Sequence, residues 1–160
     1  MSTTTNPAAI EAVGTHAVTI VRDFAHPVDK VFRAMTEPEL IARWIGPHGY
    51  DNVEVTNDAR HGGTWTLVQR NPAGDEFGFR GVFHGEQTPE LSQRTFEWLG
   101  LPGHVSFETL RLEDLGDGRT RAHQVAVFTS TDDRDGMLAS GMEVGVNEGY
   151  ERMDDVLATL

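Results

Sequence analysis

A chain of 160 residues, 38% of them hydrophobic and none of them cysteine, is one domain's worth with enough apolar material for a core, and it excludes disulfides, thiol catalysis and thiolate metal sites. Its formal net charge of −12 argues against binding nucleic acid or an anionic membrane surface, since both need clustered Lys and Arg. No apolar run approaches the roughly 18 residues of a spanning helix, and residues 1–14 lack a signal-peptide pattern, so the expected location is the cytoplasm.

Residues 1–14 show no periodicity and read as a flexible leader to a single domain over 15–160. His16 to Phe24 alternates and is rich in β-branched residues, which predicts a strand. After Pro27 the period changes, and Val28, Val31, Phe32 and Met35 recur at helical spacing. Thr36 is placed to cap a second short helix with Leu40, Ile41 and Trp44 on its apolar side, ended by Gly46-Pro47. Six further strands follow between hairpin-type turns, over 50–57, 64–70, 76–83, 92–99, 104–112 and 119–128. Seven sequential strands of this kind predict a curved antiparallel sheet.

The stretch Asp132 to Leu160 predicts one long amphipathic helix whose Leu138, Met142, Val146, Met153, Val156 and Leu157 share a face with Gly141, Gly145 and Gly149. Asp132, Asp133 and Asp135 suit the positive end of its dipole. Each interior glycine costs about 1 kcal/mol against Ala, so packing must hold the helix, and the stripe of missing side chains predicts a close approach by backbone, another helix or a ligand. Residues 132–160 carry eight acidic and two basic side chains, half of the net charge, so the polar face is expected to be solvated or to dock a basic partner.

Val18 to Phe24, Arg43-Trp44-Ile45-Gly46-Pro47, Arg60-His61-Gly62-Gly63-Thr64-Trp65, Gly116 to Thr120, Pro102-Gly103-His104-Val105 and Asp133 to Glu143 together resemble, in order and spacing, the Aha-type branch of the START-like (SRPBCC) helix-grip superfamily. That branch is named for an activator of the heat-shock chaperone ATPase, and the match is to an uncharacterised bacterial subgroup. The resemblance implies an α+β helix-grip fold: a sheet of about seven strands around a long C-terminal helix, with two short helices after the first strand. It also implies a cavity between that helix and the sheet which, in the wider superfamily, holds apolar molecules.

The predicted function is therefore hydrophobic ligand binding in that cavity, with Trp44, Trp65, Phe79, Phe83, Phe96, Trp98, Phe107, Met142 and Val146 as walls. One alternative is a cyclase-like enzyme using the same cavity for acid–base chemistry, with His104, His123 or Glu108 as catalytic candidates. The other is a co-chaperone-like interaction module. Glu97, Glu108 and Arg80 lie in strands, where register decides which way each points. The seven His residues show no metal-ligand spacing, and no phosphate loop, nucleophile elbow or dinucleotide fingerprint occurs. No cofactor or metal is expected. A small apolar molecule is the expected partner, with a homodimer and a basic protein at the acidic helix face left open.

Overall fold

A computed structural model describes residues 6–160. One antiparallel sheet contains eight strands: β1 Ala9–Val13, β2 Ala17–Phe24, β3 Asp51–Asn57, β4 Thr64–Arg70, β5 Glu76–Thr88, β6 Leu91–Trp98, β7 Val105–Gly116 and β8 Arg119–Val127. Their spatial order is β1-β2-β8-β7-β6-β5-β4-β3, so the strand that begins the predicted domain pairs with the one that ends the sheet. Four helices accompany it: α1 Val28–Thr36, α2 Pro38–Trp44, α3 Thr131–Ala139 and α4 Met142–Leu157. This is the expected helix-grip architecture, and all seven predicted strands are present.

The eighth strand corrects the reading of residues 1–14 as a leader. β1 pairs with β2 from Ala9↔Val21 to Val13↔Ala17. Ala8 is buried, and its N–H donates to the Oδ1 of Asn147 on α4 at 2.8 Å. The buried Arg134 of α3 holds the hairpin from the other side by donating to the carbonyls of Gly14 and Ala17 at 3.2 and 3.0 Å. Residues 1–5 of the predicted leader lie outside the described residues.

The single C-terminal helix is in fact two. Gly141 adopts φ +83, a left-handed conformation that an L side chain resists, and the chain turns between α3 and α4 there. Ser130, rather than one of the aspartates, caps α3 by accepting from the Asp133 N–H at 3.1 Å. Thr36 likewise does not cap α2, because its hydroxyl donates back to the Phe32 carbonyl.

The main core lies where α4 and α1 close over β2 and β8. Val18, Phe24, Val31, Met153 and Leu157 are all below 2% exposed. Full burial of side chains of this size stabilises by roughly 1.5–3 kcal/mol each. Tyr150 meets Phe24 edge to face at 5.3 Å and lies 6.1 Å from Trp44. The buried Arg22 projects from β2 into the same region and grips Asp154 of α4 with two hydrogen bonds of 2.6 and 2.8 Å.

Gly145 and Gly149 of the glycine stripe face the loop after α2, not a void, while Gly141 has open space around it at the turn. A Cβ on Gly149 would stand 3.3 Å from the Gly46 nitrogen, and one on Gly145 would stand 3.7 Å from Pro47 Cγ. Arg152 fastens that loop by donating to the carbonyls of Ile45, Gly46 and Pro47, each at 3.2 Å. The helix therefore grips a loop with its bare stripe and the sheet with its large residues. Its polar face is also less free than its sequence suggests. Asn147 is buried, Asp154 holds Arg22, Glu151 pairs with His48, and Glu148 accepts from the His48 N–H.

Candidate functional site: a cavity on the concave face

Strand register decides which side chains meet. Partners Val18↔Ala126, Ala126↔Glu108, Glu108↔Arg94 and Arg94↔Phe83 run across β2, β8, β7, β6 and β5 on one face. Gly81, two residues from Phe83, sits opposite Trp65, which continues the face onto β4. This row is the concave side, and its centre is a cavity of about 110 Å³. Ile20, Leu110 and Ala126 form one wall, Trp65, Leu67 and Phe83 the other, and Met35, Ile41 and Trp44 of the short helices, with Ile45 just after them, the roof. A dry cavity of roughly 150 Å³ holds one benzene ring, so this smaller space, which is open on one side, takes about one ring at most.

None of these walls belongs to α4. The expected cavity between the C-terminal helix and the sheet lies instead between the sheet and α1–α2, because α4 is packed flush against the main core. Met142 and Val146 are accordingly half-buried against that core and do not line the space. Trp44, Trp65, Phe83 and Glu108 do line it. Phe96 and Phe79 stand in a row beside Trp65, with ring separations of 5.7 and 5.5 Å, and buttress it rather than face the cavity. Trp98 continues the row to the strand end, where it is 39% exposed. Phe107 is a correction of face: it pairs with Thr95 and Val127 on the convex side and packs edge-on against His84 at 5.8 Å.

The local chemistry explains how Trp65 is set. Gly81 carries no side chain opposite it, and the indole occupies that room, since a Cβ there would run into the indole nitrogen and the Thr95 carbonyl. The indole N–H donates to the Thr95 carbonyl at 3.0 Å, and the Trp44 N–H donates to the Ala34 carbonyl at 2.7 Å. Both rings thus present only apolar surface to the cavity. Over Trp65 lies the guanidinium of Arg94, 4.0 Å from the ring centroid.

Arg94 is the residue that sequence reasoning missed. Its Nε donates to Glu108 Oε1 at 2.9 Å, forming an ion pair in which each side chain is about one-third exposed. These two are the only ionisable side chains among the described residues lining the cavity. The signal was available, because Arg94 alternates in phase with Phe96 and Trp98. Gln124, also unmarked in the sequence, lines the cavity and accepts from the Tyr150 hydroxyl at 2.9 Å. Burial, and then the Glu108 charge, push the Tyr150 phenol well above its usual range, so it stays a donor.

The histidine candidates lie elsewhere. His104 Nδ1 is 2.8 Å from Asp133 at the start of α3, and His123 Nε2 is 2.9 Å from Glu113 on the convex face. Neither can reach a molecule in the cavity. Arg80 and Glu97 form a convex cross-strand pair at 2.8 Å. The Gly103 N–H, and then Arg80, hold the Glu97 carboxyl below its usual range. Among the described residues no three His, Asp or Glu side chains converge as metal ligands would, and no helix is long and apolar enough to cross a membrane.

Solved structures match this architecture closely. A Rhodobacter sphaeroides protein superposes with a TM-score of 0.89 at 23% identity, covering 96% of this chain and 99% of its own. One from Arthrobacter aurescens gives 0.83 at 24% identity over 95% and 92%. The AHSA1 protein of Silicibacter pomeroyi gives 0.71 at 20% identity over 89% and 98%. At such identities the likeness establishes the fold. No protein of curated function matches the chain. The sequence model described as Activator of Hsp90 ATPase homolog 1-like protein matches residues 25–158, from the end of β2 through α4. The chain therefore belongs to the Activator of Hsp90 ATPase homolog 1-like family, within the START-like fold.

Proposed function

We propose that this protein binds a small, largely apolar organic molecule in the cavity between its sheet and its two short helices. The observation that carries the reading is the cavity itself, walled by Trp44, Trp65, Leu67 and Phe83 on an otherwise well-packed concave face. Apolar burial at roughly 25 cal/mol per Å² supplies the affinity. What supports binding over acid–base chemistry is that Glu108 is held by Arg94 and both histidine candidates lie outside. The test is to denature natively purified protein and analyse the released small molecules by mass spectrometry, then add the released compound back. A binder releases one compound reproducibly and melts higher when it is restored. Release of nothing, together with no melting shift from any one-ring compound, contradicts the reading.

A second reading, an interaction role of the kind the family description names, is favoured by Trp98 at the end of β6 and Leu99 and Leu101 just after it, all exposed. It predicts stimulation of a heat-shock chaperone ATPase that is lost in Leu99→Ser/Leu101→Ser while small-molecule binding persists.

A further inference from the structure

We infer that the occupant of this cavity is an uncharged molecule of about one ring whose polar end both donates and accepts hydrogen bonds, as a carboxamide or lactam does. The inference rests on the binding reading above and deepens it. Among the polar side chains that line it, Arg94, Glu108 and Gln124 stand next to one another, and each has a hydrogen-bonding group to offer. Arg94 spends its Nε on Glu108, and among the described residues its two terminal nitrogens make no hydrogen bond. Glu108 Oε1 receives that bond, and its Oε2 has no partner among the same residues. Gln124 has its oxygen occupied by the Tyr150 hydroxyl, which leaves the amide NH₂ as its unused end.

These groups are neighbours. Glu108 and Gln124 are diagonal across β7 and β8, since Glu108 pairs with Ala126 and Leu110 with Gln124. Tyr150, bonded to Gln124, feels the charges of both Glu108 and Arg94. The cavity therefore offers donors from Arg94 and Gln124 and an acceptor from Glu108, with zero net charge. A ligand carboxylate would satisfy Arg94 but stand beside the like charge of Glu108. A ligand ammonium would do the reverse. In a partly desolvated space either repulsion outweighs the single bond gained. A purely apolar ligand would leave the polar groups cut off from water and unmatched. A carboxamide gives its oxygen to the donors and its N–H to Glu108, so every group is met without added charge.

The test is a titration of the whole protein with four size-matched probes, benzamide, benzoate, benzylamine and toluene, followed through the Trp65 indole N–H resonance and melting temperature. Benzamide is expected to bind at least about tenfold more tightly than each of the others. In Arg94→Met/Glu108→Leu, which removes both the donor and the acceptor, that preference over toluene should shrink to within a few-fold while toluene binding persists. Benzoate or benzylamine matching benzamide overturns the inference, and so does toluene matching it in the unaltered protein, although the toluene result leaves the apolar-binding reading standing. If none of the four perturbs Trp65 or the melt, the inference falls, and the binding reading falls with it only if denaturation also releases nothing. The unaltered-protein panel decides the matter even if the double variant does not fold.

Discussion

The two ends of the concave face are built from the same alternating strands and filled differently. Over β2 and β8, α1 and α4 close the sheet completely, and Phe24, Val31, Met153 and Leu157 have almost no exposure. Over β4 and β5, Trp65, Leu67 and Phe83 form a smaller cluster roofed by α2 and the loop after it. The cavity lies between the two clusters. One long helix seals only the width of sheet it can reach, and its bare stripe is used up on the loop after α2. Stability is thus concentrated at one end, which leaves the other free to hold polar side chains and open space.

The largest effect that would sharpen this contrast is core truncation. Leu157→Ala should lose about 3–5 kcal/mol in urea unfolding, whereas Leu110→Ala at the cavity wall should lose less than about 2 kcal/mol, because the site already has room and one side already lacks neighbours. Equal losses would break the comparison. Next comes the buried ion pair. Asp154→Ala leaves the Arg22 guanidinium buried without its carboxylate, and should cost about 2 kcal/mol, below the loss for a fully buried pair because Asp154 is 42% exposed on its side chain. Asp58→Ala, which frees the exposed Arg60, should cost less than about 0.5 kcal/mol.

Smaller still are the glycine replacements on α4. Gly145→Ala should stabilise by up to about 1 kcal/mol, since the new methyl meets Pro47 at ordinary contact distance and the helix gains propensity. Gly149→Ala should instead lower the melting temperature, because its methyl presses on the backbone of Gly46. The smallest effect acts on both ends alike. Arg121, through its hydrogen bond first, holds the Asp23 carboxyl below its ordinary 3.8, and the Gly103 N–H does the same for Glu97. A carboxyl that binds its proton less tightly when folded adds stability above its unfolded pKa, and that stability disappears as pH falls through the folded value. Melting temperature should therefore be level near neutrality and fall below about pH 4, with Asp23→Asn flattening part of the drop.

Element identity was legible because alternation and helical spacing are local properties. All seven predicted strands and both short helices stand within a few residues of their predicted bounds, except that β5 and β7 run on further. What failed depends on distant parts of the chain. Nothing within Ala9–Val13 marks a strand; it is one because β2 offers an edge and Arg134 reaches back to its hairpin. Phe107 misled because β7 mixes apolar and polar side chains on both faces, with Ser106, Glu108 and Leu110 on the concave side and Phe107, Arg111 and Glu113 on the convex one, so residue type alone pointed it the wrong way. The break at Gly141 was legible as a helix-weakening residue, though not as a turn. The position of the cavity depends on how α4 packs relative to α1 and α2, and no periodicity within a single segment carries that information.

The central claim is that open room exists beside the packed core, and one pair of variants on the same strand and face tests it most directly. Ala126 lines the cavity, and Ala122, four residues away, is buried in the core. In thermal unfolding, Ala126→Leu should melt at or above the temperature of the unaltered protein, while Ala122→Leu should lose about 1–3 kcal/mol to overpacking. If Ala126→Leu is as destabilising as Ala122→Leu, the cavity is not there to be filled.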